Sequence, residues 1–180
     1  MSKIILDLCG GTASWSKPYK DAGYDVRVIT LPDNDIRTYK PPKNVYGILA
    51  APPCTHFSGS GACWWKAKDK DGRTLEDLKI LTACLMIIIE SKPKFWCLEN
   101  PVGRLKRWIG KPRMYFNPCD YGDPYTKKTC LWGEFNEPTK NPVEPTEGSK
   151  LHLLPPSKDR AMLRSITPQG FANAFYKANI

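Results

Sequence analysis

Histidine is scarce in this chain, with two residues, and no Cys-x-x-Cys pair occurs anywhere. Without clustered Cys and His a zinc centre has no ligand set, so no metal is expected. Cysteines stand at 9, 54, 63, 84, 97, 119 and 130. An odd, scattered set is not a secreted disulfide framework, and several of these thiols are expected to be core filler. No apolar run approaches the roughly 20 residues of a membrane-spanning helix. The N-terminus, Met-Ser-Lys-Ile-Ile-Leu, lacks signal-peptide anatomy and enters an apolar run directly, so a cytoplasmic protein without membrane association is expected. Gly-x-Gly-x-x-Gly is missing, so the dinucleotide fingerprint is not met. Acidic residues are outnumbered, 18 against 27 basic ones, leaving a net charge of +9. That excess suits solubility, or a polyanionic partner such as DNA, RNA or a nucleotide.

What is present reads as α/β. A length of 180 residues suits one domain, 1–180, with a proper core. Ile4–Leu8 is a short apolar strand, followed by Cys9-Gly10-Gly11-Thr12 and a helix from about Ser14 to Ala22. Glycines at such a turn let backbone approach a ligand, and a helix N-terminus behind them offers free N–H groups. Asp25–Leu31 alternates and is β-branched, a second strand ended by Pro32. Asp33 or Asp35, just beyond it, is placed to accept hydrogen bonds from ribose hydroxyls. Tyr46–Ala51 is a buried strand, Leu75–Ser91 the clearest helix, Phe95–Leu98 a further strand, and Cys130–Phe135 a last one. A short helix starting at Ser157 or Asp159 and another over Gln169–Ala178 close the chain.

Two strand ends carry chemistry. Pro52-Pro53-Cys54 stops the Tyr46–Ala51 strand, and ligand sites in open α/β sheets lie at the carboxyl ends of strands. A thiol held there by rigid prolines suits nucleophilic catalysis, although an isolated Pro-Cys is more often buried filler. Glu99-Asn100-Pro101 ends the strand one βα unit later, so in a parallel sheet both motifs share a rim. Between them, Ser58–Thr74 reads as a long polar loop bearing Trp64, Trp65 and Lys66, where aromatics stack on bases and lysines meet phosphates. Arg104, Lys106, Arg107, Lys111 and Arg113 around Trp108 are either a solvated face or a phosphate-tracking patch.

In this order, the Pro-Pro-Cys and Glu-Asn-Pro motifs resemble those of cytosine-C5 DNA methyltransferases. Asp7-Leu8-Cys9-Gly10-Gly11 is similar to that family's first motif with one glycine displaced, and Tyr121-Gly122-x-Pro124 to a later one. The resemblance implies a Rossmann-like fold dependent on S-adenosylmethionine, with a mostly parallel sheet and helices on both faces. It places Asp7 to Gly11 on the methionine part of the cofactor and Asp35-Ile36 on its adenine. Pro53, Leu75, Thr167 and Pro168 then stand beside it. Cys54 becomes the nucleophile, Glu99 the group that protonates or polarises cytosine N3, and Asn100 and Pro101 shape its turn. Ser58, Trp64, Trp65, Lys66, Arg104, Lys127 and Lys128 are the expected substrate contacts. The family carries two arginines, one residue apart, where this chain has Lys127 and Thr129. Lysine is not an equivalent bidentate donor, so the base must be clamped differently.

In the family a large target-recognition domain follows the last of these motifs. Here Asn136–Pro156 is a short Pro-rich connector with no room for one, as in the compact phage-type members. Relaxed sequence preference follows from that, since direct readout needs several side chains delivered to base edges. A partner protein supplying specificity is the alternative, and a monomer is otherwise expected. Two further readings stay open: the same chemistry on free deoxycytidine nucleotide or RNA, or a non-catalytic nucleic-acid-binding relic. A zinc deaminase is excluded, because Cys54-Thr-His-Phe57 fails its Pro-Cys-x-x-Cys spacing. No residue identifies the base that removes the C5 proton; His56 reads as a structural donor.

Overall fold

A computed structural model describes residues 2–180. Six strands form one sheet: β1 (Ile4–Leu8), β2 (Asp25–Ile29), β3 (Val45–Ala50), β4 (Phe95–Pro101), β5 (Met114–Phe116) and β6 (Thr129–Glu134), in the order β2-β1-β3-β4-β6-β5. The first four are mutually parallel, whereas β6 runs antiparallel to both β4 and β5. The chain is therefore α/β with a mostly parallel sheet, as expected. The antiparallel edge was not legible in sequence, and three-residue β5 is too short to show a periodicity.

Strand β1 pairs with β2 on one side and β3 on the other. The chain thus leaves β1 in one direction and returns in the other, opening a crevice at the carboxyl ends of β1 and β3. Ligands bind at such switch points. The loops after Leu8 and Ala50 flank it.

Helices cover both faces. Helix α3 (Arg73–Ser91) buries Leu81, Cys84, Ile87 and Ile88 against Leu6, Ile48 and Leu98. Its other side is exposed, with Leu75, Met86 and Ile89 facing solvent. The opposite face is aromatic. There α1 (Lys17–Asp21) and α6 (Gln169–Ala178) bring Tyr19, Phe171 and Phe175 onto Phe95 and Phe116. Phe171 is fully buried and stacks on Phe116 with ring centroids 3.9 Å apart.

Several boundaries differ from expectation. Helix α1 begins at Lys17 rather than Ser14, with Ser16 at its N-cap position. Strand β2 stops at Ile29, short of Leu31. The stretch 58–74 is not an open loop: a 3₁₀ turn (Gly59–Trp64) leads into α2 (Trp65–Lys70) and then α3. Glu-Asn-Pro lies inside β4, paired to β6, rather than beyond the strand. Two short helices, α4 (Lys106–Ile109) and α5 (Arg160–Ser165, capped by Asp159), complete the molecule. Among the described residues no helix is long and apolar enough to cross a membrane.

Phe171→Ala should destabilise the protein by about 3–5 kcal/mol, the usual cost of emptying a packed aromatic site. Urea denaturation measures it; a change under about 1 kcal/mol would show that α6 does not close this face.

Candidate active site

β3 and β4 are parallel neighbours, so Cys54 and Glu99 reach the same rim of the sheet. The two motifs are bonded to each other. Asn100 Nδ2 donates to Pro52 O at 3.0 Å, fixing the end of β4 to the prolines before Cys54. The N–H groups of Phe57 and Ser58 donate to Cys54 O at 3.0 and 2.8 Å, closing a turn on the cysteine. Gly59 N–H donates to Val102 O and Arg104 N–H to Phe57 O, each at 2.9 Å. This approach requires glycine: a Cβ on Gly103 would lie 2.0 Å from Phe57 O.

Arg104 is not a phosphate contact, contrary to expectation. It is 2% exposed and holds the turn from inside. Its Nε donates to His56 O at 2.9 Å, Nη1 to Asp69 Oδ2 at 2.8 Å and Nη2 to Thr74 Oγ1 at 2.7 Å. The guanidinium lies 4.9 Å from the ring centre of Trp65 and 5.6 Å from that of Trp108. Trp65 is therefore part of this clasp rather than a free stacking platform. Lys68 Nζ adds a bond to Thr55 O at 2.8 Å, and His56 Nδ1 bonds Asp77 Oδ2 at 2.6 Å. His56 is thus the structural donor expected of it. Trp64 and Lys66 remain exposed on this helical segment, and Ser58 sits in the cysteine turn.

Cys54 is open to solvent over part of its surface. Protein surrounds the rest, and that desolvation raises its pKa. The Glu99 charge raises it further, while the cations of Lys127 and Arg164 pull it down. Burial likewise raises Glu99, opposed by Lys127. A carboxyl so placed is biased towards its neutral, proton-donating form. Lys127 Nζ donates to Arg164 O at 3.0 Å, which brings the end of α5 to the site. Lys128, next in sequence, turns away over the Tyr115 ring. Thr129 is buried and its hydroxyl donates to Lys127 O at 2.8 Å. Arg164 was missed in the sequence, since nothing in Arg-Ala-Met-Leu-Arg-Ser marks one arginine for a strand end more than sixty residues away.

The loop after β1 bends sharply, with positive φ at Cys9, Gly11 and Ala13. A Cβ on Gly10 would lie 2.3 Å from the Asp7 carboxyl carbon, whereas one on Gly11 would meet nothing within 4 Å. Gly10 thus seats the buried acid while Gly11 leaves open space for a ligand. Asp7 is 1% exposed; Ser16 Oγ donates to its Oδ2, and its Oδ1 has no partner among the described residues. Thr167 N–H donates to Ser14 Oγ at 2.9 Å, so Thr167 and buried Pro168 do reach this loop. The helix N-terminus expected to add free N–H groups does not, since five-residue α1 starts beyond the loop.

Other expected contacts fall elsewhere. Leu8 is fully buried, offering only backbone, and Ile36 packs in the aliphatic core rather than facing a base. Asp35 is bound by Arg37 through Nε at 3.0 Å and Nη2 at 2.6 Å, which holds its carboxyl down at about 2. Asp33 is exposed, with no partner among the described residues. Leu75 is exposed on the first turn of α3, and Pro53 is half-buried beside Cys54.

No protein-family model and no curated protein matches the chain. A solved structure assigned as a DNA modification methyltransferase, encoded within a prophage (E. coli), is similar with a TM-score of 0.53 and 17% identity. The match covers 74% of this chain and 47% of that one, so this chain spans less than half of that protein's length. At this identity the likeness is one of fold, and it agrees with the Rossmann-like methyltransferase architecture expected.

Two predictions follow from burial. Arg104→Met should cost about 1–3 kcal/mol, because His56 O and buried Thr74 lose a charged donor while the Asp69 carboxylate stays open to solvent; chemical denaturation checks it, and near-neutrality would return Arg104 to the surface. Burial pushes Asp7 up to about 6, partly offset by Ser16, against about 4 for an unfolded Asp. The folded state therefore holds a proton that the unfolded chain has released. This stabilisation is full below about pH 4 and is lost as pH rises through about 6, a change of about 3 kcal/mol. Asp7→Asn should lack that slope when unfolding midpoints are compared between these limits; identical slopes would show a solvated carboxyl.

Proposed function

We propose that this chain is a DNA cytosine-C5 methyltransferase using S-adenosylmethionine, with one catalytic domain over 1–180. The observation that carries the reading is the pairing of Cys54 and Glu99 on one rim, joined by the Asn100–Pro52 hydrogen bond. A nucleophilic thiol beside a carboxyl biased to its neutral form matches what cytosine requires. Its C5 is a poor nucleophile until C6 gains a bond.

Cys54 Sγ, as thiolate, bonds to C6 and the C5–C6 π pair becomes available at C5. Glu99 gives N3 a proton or hydrogen bond as negative charge spreads into the ring. Asn100 and Pro101 hold that carboxyl in register with the cysteine turn. Bound S-adenosylmethionine supplies the electrophilic methyl. A base takes the C5 proton, the C5–H pair re-forms the C5–C6 π bond, and Cys54 Sγ leaves C6 with the C–S pair as thiolate. Lys127 lowers the cost of the thiolate and of charge in the ring.

The loop Asp7 to Gly11, with Thr167 and Pro168 behind it, is the proposed seat of the cofactor, with Pro53 on its path to Cys54. Open space at Gly11 and the unpartnered Asp7 Oδ1 fit a ligand carrying an amine. Asp33 is the proposed ribose acceptor, since Asp35 is already held by Arg37. A base in duplex DNA must leave the stack to meet Cys54. Exposed Trp64 and Lys66, beside the cysteine turn, are the proposed DNA contacts. With the irregular 136–149 connector offering no recognition unit, sequence preference is proposed to be relaxed.

Cys54→Ala should abolish methyl transfer and leave S-adenosylmethionine binding within about twofold, because the thiol acts only on the base. Glu99→Gln should lower turnover by about 10²–10⁴. DNA carrying 5-fluorocytosine should become covalently attached at Cys54, since fluorine at C5 does not leave as a proton. Peptide mass spectrometry identifies the site; attachment at Cys63 or Cys130, or none at all, overturns the reading.

A further inference from the structure

Arg107 is exposed and yet held in place. Its guanidinium lies 5.5 Å from the ring centre of Trp65 and makes no hydrogen bond or ion pair among the described residues. Trp65 is half-buried and carries Arg104 at 4.9 Å as well, so the indole beneath Arg107 is itself fixed. A surface arginine ordinarily loses much side-chain freedom when it binds; one already laid on an indole loses less. The acids close by in the chain are already engaged. Asp69 on α2 accepts from Arg104 and Thr74, and Asp71 accepts from Arg73.

Neighbouring elements extend this charge. On α2, Lys66 and Lys70 are exposed one helical turn apart, whereas Lys68 turns inward to Thr55 O. On α4, Lys106 is exposed beside Arg107. The basic surface is attached to the cysteine turn at three points. Ser58 bridges to Gly103, Gly59 N–H donates to Val102 O at 2.9 Å, and the Trp108 ring of α4 lies 5.6 Å from that of Phe57, three residues after Cys54. Trp64, next to the fixed Trp65, is 63% exposed. Cations without counter-ions around an exposed indole suit a polyanion that carries aromatic bases.

We propose that α2 and α4 together bind the sugar-phosphate backbone of DNA beside the Cys54 site, with Arg107 on Trp65 as the preset contact and Lys66 and Lys70 as its neighbours. This rests on the reading of Cys54 as acting on cytosine in DNA. One basic stretch then has two uses. Arg104 is buried structure, and Arg107, three residues on, is the phosphate donor. Such contacts set position on the strand without reading its sequence.

The test is binding of a short DNA duplex holding one target cytosine, read by fluorescence anisotropy across salt concentrations. Wild type is compared with Arg107→Gln, Arg107→Lys and the double variant Lys66→Gln/Lys70→Gln. Lys177→Gln removes the same charge from α6, which packs on the opposite face of the sheet. Arg107→Gln should weaken binding about tenfold and reduce the salt slope by about 0.9. Arg107→Lys should keep the slope, and the double lysine variant should lower it by about 1.8. Lys177→Gln should change neither affinity nor slope. An unchanged slope in Arg107→Gln, or the same loss in Lys177→Gln, overturns the proposal, since net charge alone would then account for binding. Displacement of the duplex by poly-glutamate as readily as by unlabelled DNA overturns it as well. Should Arg107→Gln fail to fold, the double lysine variant against Lys177→Gln decides by the same criteria. Methyl transfer by wild type to the same duplex is scored separately: Arg107-dependent binding without transfer upholds the surface and rejects the reaction at Cys54.

Discussion

One buried guanidinium organises the site. Arg104 reaches the turn after Cys54 through His56 O, helix α2 through Asp69 and the start of α3 through Thr74, while lying between Trp65 and Trp108. Each partner comes from a different stretch of chain. A charge removed from water is tolerable only if its donors are used, so Arg104 constrains all of these segments at once. Its own position follows from Gly103, where the β4 exit touches Phe57 O.

That clasp leaves the reactive groups free of structural duty. The side-chain bonds that hold the rim together come from Asn100, His56, Lys68 and Arg104, and not from the side chains of Cys54 and Glu99. The cost appears as electrostatics. Burial disfavours both the thiolate and the carboxylate, and the Glu99 charge disfavours the thiolate further. Lys127 opposes both effects, and Arg164 opposes the first. The site is a set of charges balanced by position rather than by contact ion pairs.

The loop after β1 is built differently. Three residues with positive φ turn the loop after β1 without a helix beginning inside it, and Gly10 gives way to the Asp7 carboxyl. The buried acid and the open space at Gly11 then lie at the switch point between β1 and β3. The loops after β1 and β3 are thus adjacent because their strands are adjacent.

Much of this was legible from sequence because it is local. Apolar runs bounded by Pro and Gly mark β1, β3 and β4, and the residues just after them must lie at strand ends. Pro-Pro-Cys and Glu-Asn-Pro could therefore be assigned to one rim before any coordinates. Local pattern does not say where a long side chain ends. Arg104 and Lys106 are alike in sequence as basic residues near Trp108, yet one is buried under three hydrogen bonds and the other is exposed. The helical fold of 58–74, the antiparallel course of β6, and the arrival of Arg164 at Lys127 depend on contacts between distant segments. The sequence by itself determined five of the six strands and which reactive residues stand at their ends, since both follow from short-range sterics and periodicity. Only the tertiary structure decided which cations are structural and which face the site, because burial and pairing are properties of the assembled sheet and not of any one stretch.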